Sequence, residues 1–227
     1  MLVLLLVVLA TGMAFAQSVV SAGIGGTFRA NFQNVVWTKT GRDYLNAMGI
    51  SKNISDSDLI GGGFFAFFDV KYLALSVGMG FQDVSPVNKD MKKMMRDEKV
   101  KETFTTLDIG LMLKIPIDMG EVFTLFPAFG VDFRIALEHE ATVDGTTYKY
   151  SDDNNPADDM TRVWFKLGLG ADIPLGDTLY LRPMFLYGFG TLSNNEKDYE
   201  DRINETVKFG EIINHGLDFS LALGFKF

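Results

Sequence analysis

The last eleven residues, LDFSLALGFKF, set Leu217, Phe219, Leu221, Leu223, Phe225 and Phe227 against Asp218, Ser220, Ala222, Gly224 and Lys226. One set is large and apolar; the other is small, polar or charged. Alternation with period two predicts a β-strand with two unlike faces. Seven earlier segments carry the same pattern. VSAGIGGTFRANF places Ile24, Phe28 and Phe32 against Gly23, Thr27 and Arg29. LIGGGFFAFF is ambiguous in phase, because aromatics occupy both parities. YLALSVGMGF sets Leu73 to Phe81 against Ala74, Ser76, Gly78 and Gly80. TTLDIGLMLKI opposes its leucines to Asp108, Gly110 and Lys114. VFTLFPAFGVDFRIAL opposes Phe123, Phe129 and Phe133 to Asp132 and Arg134. RVWFKLGLGADI opposes Val163, Phe165, Leu167 and Leu169 to Arg162, Lys166, Gly168 and Asp172. TLYLRPMFLYGFG opposes Leu181, Phe185 and Tyr187 to Arg182 and Gly188.

Each segment reaches the ~9–11 residues that a tilted transmembrane strand needs. Connection lengths alternate strictly. DVK, PIDMGE and PLGD are tight turns with Gly and Asp at the bends. Between them lie long polar stretches at about 37–58, 83–102, 138–160 and 192–214. The fold expected is all-β: an eight-stranded antiparallel up-and-down transmembrane β-barrel over residues 17–227, with both termini at the short-turn end. IPIDMGEVFTLFPAFG and IPLGDTLYLRPMFLYG form an internal echo, with Gly120 to Pro127 and Gly176 to Pro183 at equal spacing. Proline cannot donate to a ladder, so bulges are expected near Pro127 and Pro183.

A lipocalin-like barrel also has eight up-and-down strands, but its apolar face points inward. Here the polar parity carries full charges: Arg29, Asp108, Lys114, Asp132, Arg134, Arg162, Lys166, Asp172, Arg182, Asp218 and Lys226. The apolar parity is aromatic and nearly free of charge. The apolar face therefore meets lipid and the charged face lines the lumen. Eight strands enclose a space that side chains can just fill. A buried charge is tolerable only when paired, so interior ion pairs are expected. By height they sort into two tiers. Lys114, Asp172, Arg182 and Lys226 lie near the short turns, with Asp172 pairing to Arg182 or Lys114; the others lie beyond, with Asp132 or Asp218 paired among them. Basic members outnumber acidic ones, so any leak should favour anions. Inward glycines make room, and a small polar replacement such as Gly168→Ser should be mild.

With these residues in view, the chain resembles the small eight-stranded outer-membrane barrels, the group of OmpA-type transmembrane domains, OmpX and OmpW. The ending LALGFKF resembles the signal read by that group's barrel-assembly machinery, which assigns Phe219, Leu221, Leu223, Phe225 and Phe227 to an assembly signal. The resemblance implies a cell outer-membrane location, periplasmic termini, contact with outer-membrane lipid and loops presented to extracellular ligands. It does not imply one activity, because the group holds anchors, channels, adhesins and a few lipid-modifying enzymes. The function expected is a structural or surface-interaction protein with a largely plugged lumen. The alternative is a narrow OmpW-like channel for small or hydrophobic solutes.

MLVLLLVVLATGMAFA opens the chain with an apolar run and the small-x-small pattern Ala14-Phe15-Ala16. Residues 1–16 read as a signal peptide cleaved before Gln17, although no basic residue precedes the run. The absence of cysteine rules out disulfides, thiolate metal sites and a lipobox. A formal charge of −8 argues against nucleic acid as a partner. GIGGTF lacks the third glycine of a dinucleotide fingerprint, and no helix follows it. Asp152, Asp153, Asp158 and Asp159 lack the spacing of a calcium loop and read as a solvated acidic loop. Met91, Met94 and Met95 suggest a short amphipathic helix within a loop. His139 and His215 fall on the lipid-facing parity near the long-loop end. Ser193, with Glu196 or Asp198, could complete a nucleophilic set beside His215, but no motif supports one. No cofactor, metal or enzymatic activity is expected.

Overall fold

A computed structural model describes residues 20–49, 57–86, 93, 95–96, 100–120, 122–149, 161–191 and 210–227. The signal segment, the acidic loop, Met91, Met94, Ser193, Glu196 and Asp198 lie outside them. Eight long strands form the wall. They are β1 (Val20–Trp37), β2 (Ser57–Val70), β3 (Leu73–Pro86), β4 (Lys101–Lys114), β6 (Thr124–Val143), β8 (Arg162–Pro174), β9 (Leu179–Gly190) and β10 (Gly210–Lys226). Two short strands, β5 (Ile117–Asp118) and β7 (Thr146–Lys149), pair only with β6. Every pairing is antiparallel, and β1 on β10 and β4 on β6 complete the ring. In this closed eight-stranded barrel each wall strand spends its backbone groups on two neighbours, which a lipid environment requires.

The burial pattern fixes the orientation of the faces. Ile24 is 68 % exposed, Phe28 54 %, Phe129 53 %, Leu167 49 % and Phe219 51 %. Arg29, Asp108, Lys114, Arg134, Lys166, Arg182 and Asp218 are all buried. An apolar exterior around a charged interior inverts a soluble barrel, and its outer band suits hydrocarbon. The ambiguous segment is resolved by its neighbours: in β2, Phe65 and Phe67 face inward with Asp69, while Ile60, Phe64 and Phe68 face out.

Turn chemistry follows the sequence. Asp144 (φ 49°) and Gly145 (φ 83°) form the two-residue hairpin between β6 and β7, the Asp-Gly combination that a primed turn favours. The two copies of the internal echo share one turn hydrogen bond. Met119 N–H bonds Phe123 O at 3.1 Å, and Leu175 N–H bonds Leu179 O at 2.8 Å. The following glycines, Gly120 (φ 78°) and Gly176 (φ 143°), take positive φ.

Three expectations need correction. The prolines cause no register shift: Pro127 stays paired to Leu169, and Pro183 to Leu221. Pro127 lies where the β4 ladder ends, its carbonyl still accepting from Ile115 N–H at 3.1 Å, so the missing donor disturbs nothing. At Pro183 the β8–β9 ladder lapses opposite Ala171 and resumes in register. The shift found among the described pairings lies instead between Thr105 and Thr106, opposite Leu137. Finally, Gly168 has no room for serine, because a Cβ there would sit 2.1 Å from Phe185 O.

At the long-loop end the strands run further than alternation alone suggests, and the connection after β1 contains a helix. This is α1 (Lys39–Ala47), whose N-cap Thr38 accepts from Gly41 N–H through its hydroxyl. Leu45 of α1 packs with Val35, Trp37 and Ile212, capping the interior of β1 and β10.

Candidate functional site: the charged lumen

Inward side chains of facing strands meet across the lumen in two tiers. Near the short turns, Arg182 is held by Asp172 through Nε–Oδ1 at 2.6 Å and Nη2–Oδ2 at 2.8 Å. Its Nη2 also reaches Asp69 Oδ2 at 2.5 Å. Lys114 pairs with Asp69 and approaches Asp172 at 3.8 Å. Tyr180, fully buried, shares a 2.8 Å hydrogen bond with Ser21, whose hydroxyl also donates to Asp69 at 3.3 Å. The Arg182 guanidinium lies 4.7 Å from the Phe67 ring centre, 5.0 Å from Tyr180 and 5.4 Å from Phe126. A guanidinium is weakly hydrated and stacks on aromatic faces, so this tier is both ion-paired and walled by rings. Lys226 lies below, 5.5 Å from the Tyr180 ring centre.

By strand position an apolar layer follows: Phe126, Ala128 and Leu186, packed with Met112 and Met184. The second tier lies above it. Arg29 pairs with Asp108, which also accepts from Thr106 Oγ1 at 2.9 Å. Lys166 bridges Asp132 and Asp218. Arg134 Nη2 donates to Asp218 at 3.0 Å and stacks 4.4 Å from the Trp164 ring centre. Arg162, in register with Arg134, is buried beside this tier. Among the described residues, a cavity of about 60 Å³ lies among the second-tier charges and one of about 30 Å³ beyond them.

Asp69 is the residue that sequence reasoning missed. Its segment had no readable phase, yet the aspartate itself was the signal: a charge on an otherwise apolar barrel strand must face inward. Its presence changes the charge balance. The first tier pairs Lys114 and Arg182 with Asp69 and Asp172; the second pairs Arg29, Arg134 and Lys166 with Asp108, Asp132 and Asp218. These pairs balance one another, so Asp69 narrows the expected excess of positive charge, while buried Arg162, and Lys226 below, still leave the basic lumen residues ahead of the acidic ones.

The histidines part company. His215 keeps the lipid-facing parity and lies among Phe32, Tyr187 and Asn34, with Nε2 3.0 Å from Asn34 and Nδ1 3.3 Å from Tyr187 Oη. His139 does not. Leu137 has no partner in β4, so Ala136 faces Thr106 and Glu138 faces Thr105. The extra residue turns the following side chains over. His139 therefore stacks on buried Phe104 at 4.1 Å and bonds Glu102 at 2.7 Å. Further out, Lys149 pairs with Glu138 and, at 2.8 Å, with Glu140. The hydrogen bond from Lys149 holds the Glu140 carboxyl below its ordinary value, and the hydrogen bonds to Glu138 and then Glu140 hold the Lys149 ammonium above its own.

Closed pairing, an apolar exterior and a charged lumen define a small eight-stranded transmembrane β-barrel. This up-and-down architecture is the one expected from the sequence. No family model matches the chain, and no curated protein does. Solved structures similar to it include Neisserial surface protein A, at 9 % identity over 91 % of this chain and 99 % of that one, TM-score 0.45. A major outer membrane protein from Thermus thermophilus matches at 14 % identity over 90 % and 99 %, TM-score 0.44. The outer membrane protein OprG from Pseudomonas aeruginosa matches at 9 % over 92 % and 97 %, TM-score 0.40.

Proposed function

We propose that this chain is an integral outer-membrane barrel serving as a structural or surface-exposed interaction protein, with a lumen closed to solutes. In this reading the short turns and both termini are periplasmic, the long connections are extracellular, and lipid covers the aromatic exterior. The C-terminal strand is the element offered to the barrel-assembly machinery. The observation that carries the reading is the first tier: Asp69, Lys114, Asp172 and Arg182 meet across the lumen inside a wall of Phe67, Phe126 and Tyr180. A hydrated ion would have to break buried, hydrogen-bonded pairs to pass, and each broken pair leaves an uncompensated charge. The reading is non-enzymatic, in keeping with His215, both of whose ring nitrogens are engaged by Asn34 and Tyr187.

Planar-bilayer recording of the wild type beside Asp172→Ala and Asp132→Ala tests the closed lumen. The wild type should give no stable conductance, and Asp172→Ala should introduce brief openings. Stable, well-resolved wild-type channels would overturn the closed lumen and favour the narrow channel for small solutes.

A further inference from the structure

A groove crosses the apolar outer wall. Leu111, Val131, Phe165 and Phe189 form one bank, and Leu113, Phe129 and Leu167 form the other. Each bank follows the hydrogen-bonding direction of the sheet. Leu111 is the partner of Val131, Val131 of Phe165, and Phe165 of Phe189. The other bank runs from Leu113 through Phe129 to Leu167 in the same way, and it begins at Leu73 of β3. Between the banks lie Gly130 and Lys166, partners across β6 and β8. Gly130 has no side chain, and the Lys166 ammonium is engaged inside the lumen by Asp132 and Asp218. Successive residues of a strand point to opposite faces, so backbone floors the groove. Its volume is about 480 Å³, within the ~300–1,000 Å³ of small-molecule sites.

The register inclines this groove along the wall. Leu73 is the first residue of β3, beside a short turn, whereas Phe189 is the last but one of β9, at the long-loop end. From β3 to β9 the ring advances by four strand spacings, about 19 Å at ~4.8 Å each. With strands tilted by ~35–45°, the groove climbs about 11–14 Å, close to half of a ~30 Å hydrocarbon core. That is the depth of one leaflet, which is the reach of one acyl chain. At the lower end Lys71 is exposed in the turn between β2 and β3, its ammonium 5.0 Å from the Tyr72 ring centre. A phosphate at this level meets a cation beside an aromatic ring of the kind that sits among headgroups.

We infer that this groove holds one acyl chain of a diacyl phospholipid whose headgroup phosphate lies against Lys71. The inference rests on the outer-membrane reading above and assigns the phospholipid to the periplasmic leaflet. The lipid is a fixed partner of β4, β6 and β8, unlike the exchanging lipid around the rest of the wall.

The test refolds the full chain in vesicles of phosphatidylcholine and phosphatidylglycerol, extracts the barrel in mild detergent and reads retained lipid by native mass spectrometry. The wild type should keep one phospholipid per barrel. Val131→Trp and Leu167→Trp each set an indole across the groove, one from either bank, and both should lose it. Phe28→Trp changes the outer face of β1, opposite β6 around the ring, and should keep it. Lys71→Gln should lower the share of phosphatidylglycerol in the retained lipid. Insertion of the wild type with no retained phospholipid, or equal retention in the Val131, Leu167 and Phe28 variants, would overturn the inference and leave the outer-membrane reading standing. An unchanged phosphatidylglycerol share in Lys71→Gln would overturn the placement of the headgroup. Failure of the wild type to insert, seen as loss of heat-modifiable gel migration, would overturn the membrane reading and the inference together.

Discussion

Asp69 of β2 and Arg182 of β9 are 113 residues apart in sequence and meet at 2.5 Å inside the lumen. β1 and β10 separate their strands along the wall, so only closure of the barrel brings them together. Asp69 is 2 % exposed and serves Lys114 as well. Asp69→Ala therefore takes the near carboxylate from Lys114 and leaves Lys114 and Arg182 to share Asp172, and loss of one partner of a buried pair costs about 3–5 kcal/mol. Urea unfolding in vesicles should show a large fall in midpoint. Asp172→Ala should fall less, because the Asp172 side chain is 15 % exposed and water can reach its partners. Equal, small shifts for both would mean that the tier does not stabilise the barrel.

The outer face predicts a depth-dependent cost. Leu111 and Leu167 lie on the exposed apolar band, where Arg or Lys costs ~2–4 kcal/mol near the midplane. Leu111→Arg and Leu167→Arg should each lower the unfolding midpoint strongly. Ser220→Asn, which extends a polar group into the 60 Å³ cavity that Ser220 lines, should be mild. The same urea titration compares the three, and equal midpoints would reverse the inside–outside assignment.

The chain end joins the closing seam. Phe227 N–H bonds Val20 O at 2.8 Å, while the residue is 81 % exposed. An exposed terminal ring adds little to packing, so an effect of removing it would report on assembly. Deleting Phe227 should reduce the heat-modifiable, folded form in outer-membrane fractions while leaving refolding from urea into vesicles nearly unchanged. Normal accumulation in cells would rule out the assembly signal.

The β6–β7 hairpin should keep its charge pairing through the neutral range. Glu140 has a lowered pKa, so its contribution is present above its ordinary value and is lost as pH falls through the lowered one. Lys149 has a raised pKa, so its contribution is present below its ordinary value and is lost as pH rises through the raised one. Amide exchange at Thr142 and Thr147 should therefore report a hairpin whose intrinsic opening is flat from about pH 6 to 9. Lys149→Gln should raise opening across that whole window. Both carboxylates and the amine are on the surface, so the effect should shrink in high salt.

What the sequence determined by itself is the alternation and its punctuation. Period-two segments of spanning length, separated by Asp- and Gly-bearing turns, admit few arrangements other than an up-and-down barrel. Charges confined to one parity determined which face is the lumen, because an arginine such as Arg29 or Arg134 cannot be left in hydrocarbon. Those are properties of each strand alone, so they survive without a structure. Tertiary structure decided everything that depends on two strands at once. It set the phase of β2, because Phe65, Phe67 and Asp69 gain their places from what faces them across the lumen. It chose Asp69 and Asp172 jointly for Arg182, a choice of height and stagger that no single strand encodes. It also turned His139 inward, since one unpaired residue at Leu137 reverses every later side chain in β6. Whether an extra residue is absorbed there or at a proline depends on where the neighbouring ladder ends. Parity is a local property of one chain segment; register and closure are properties of the ring, and the lumen is made by the ring.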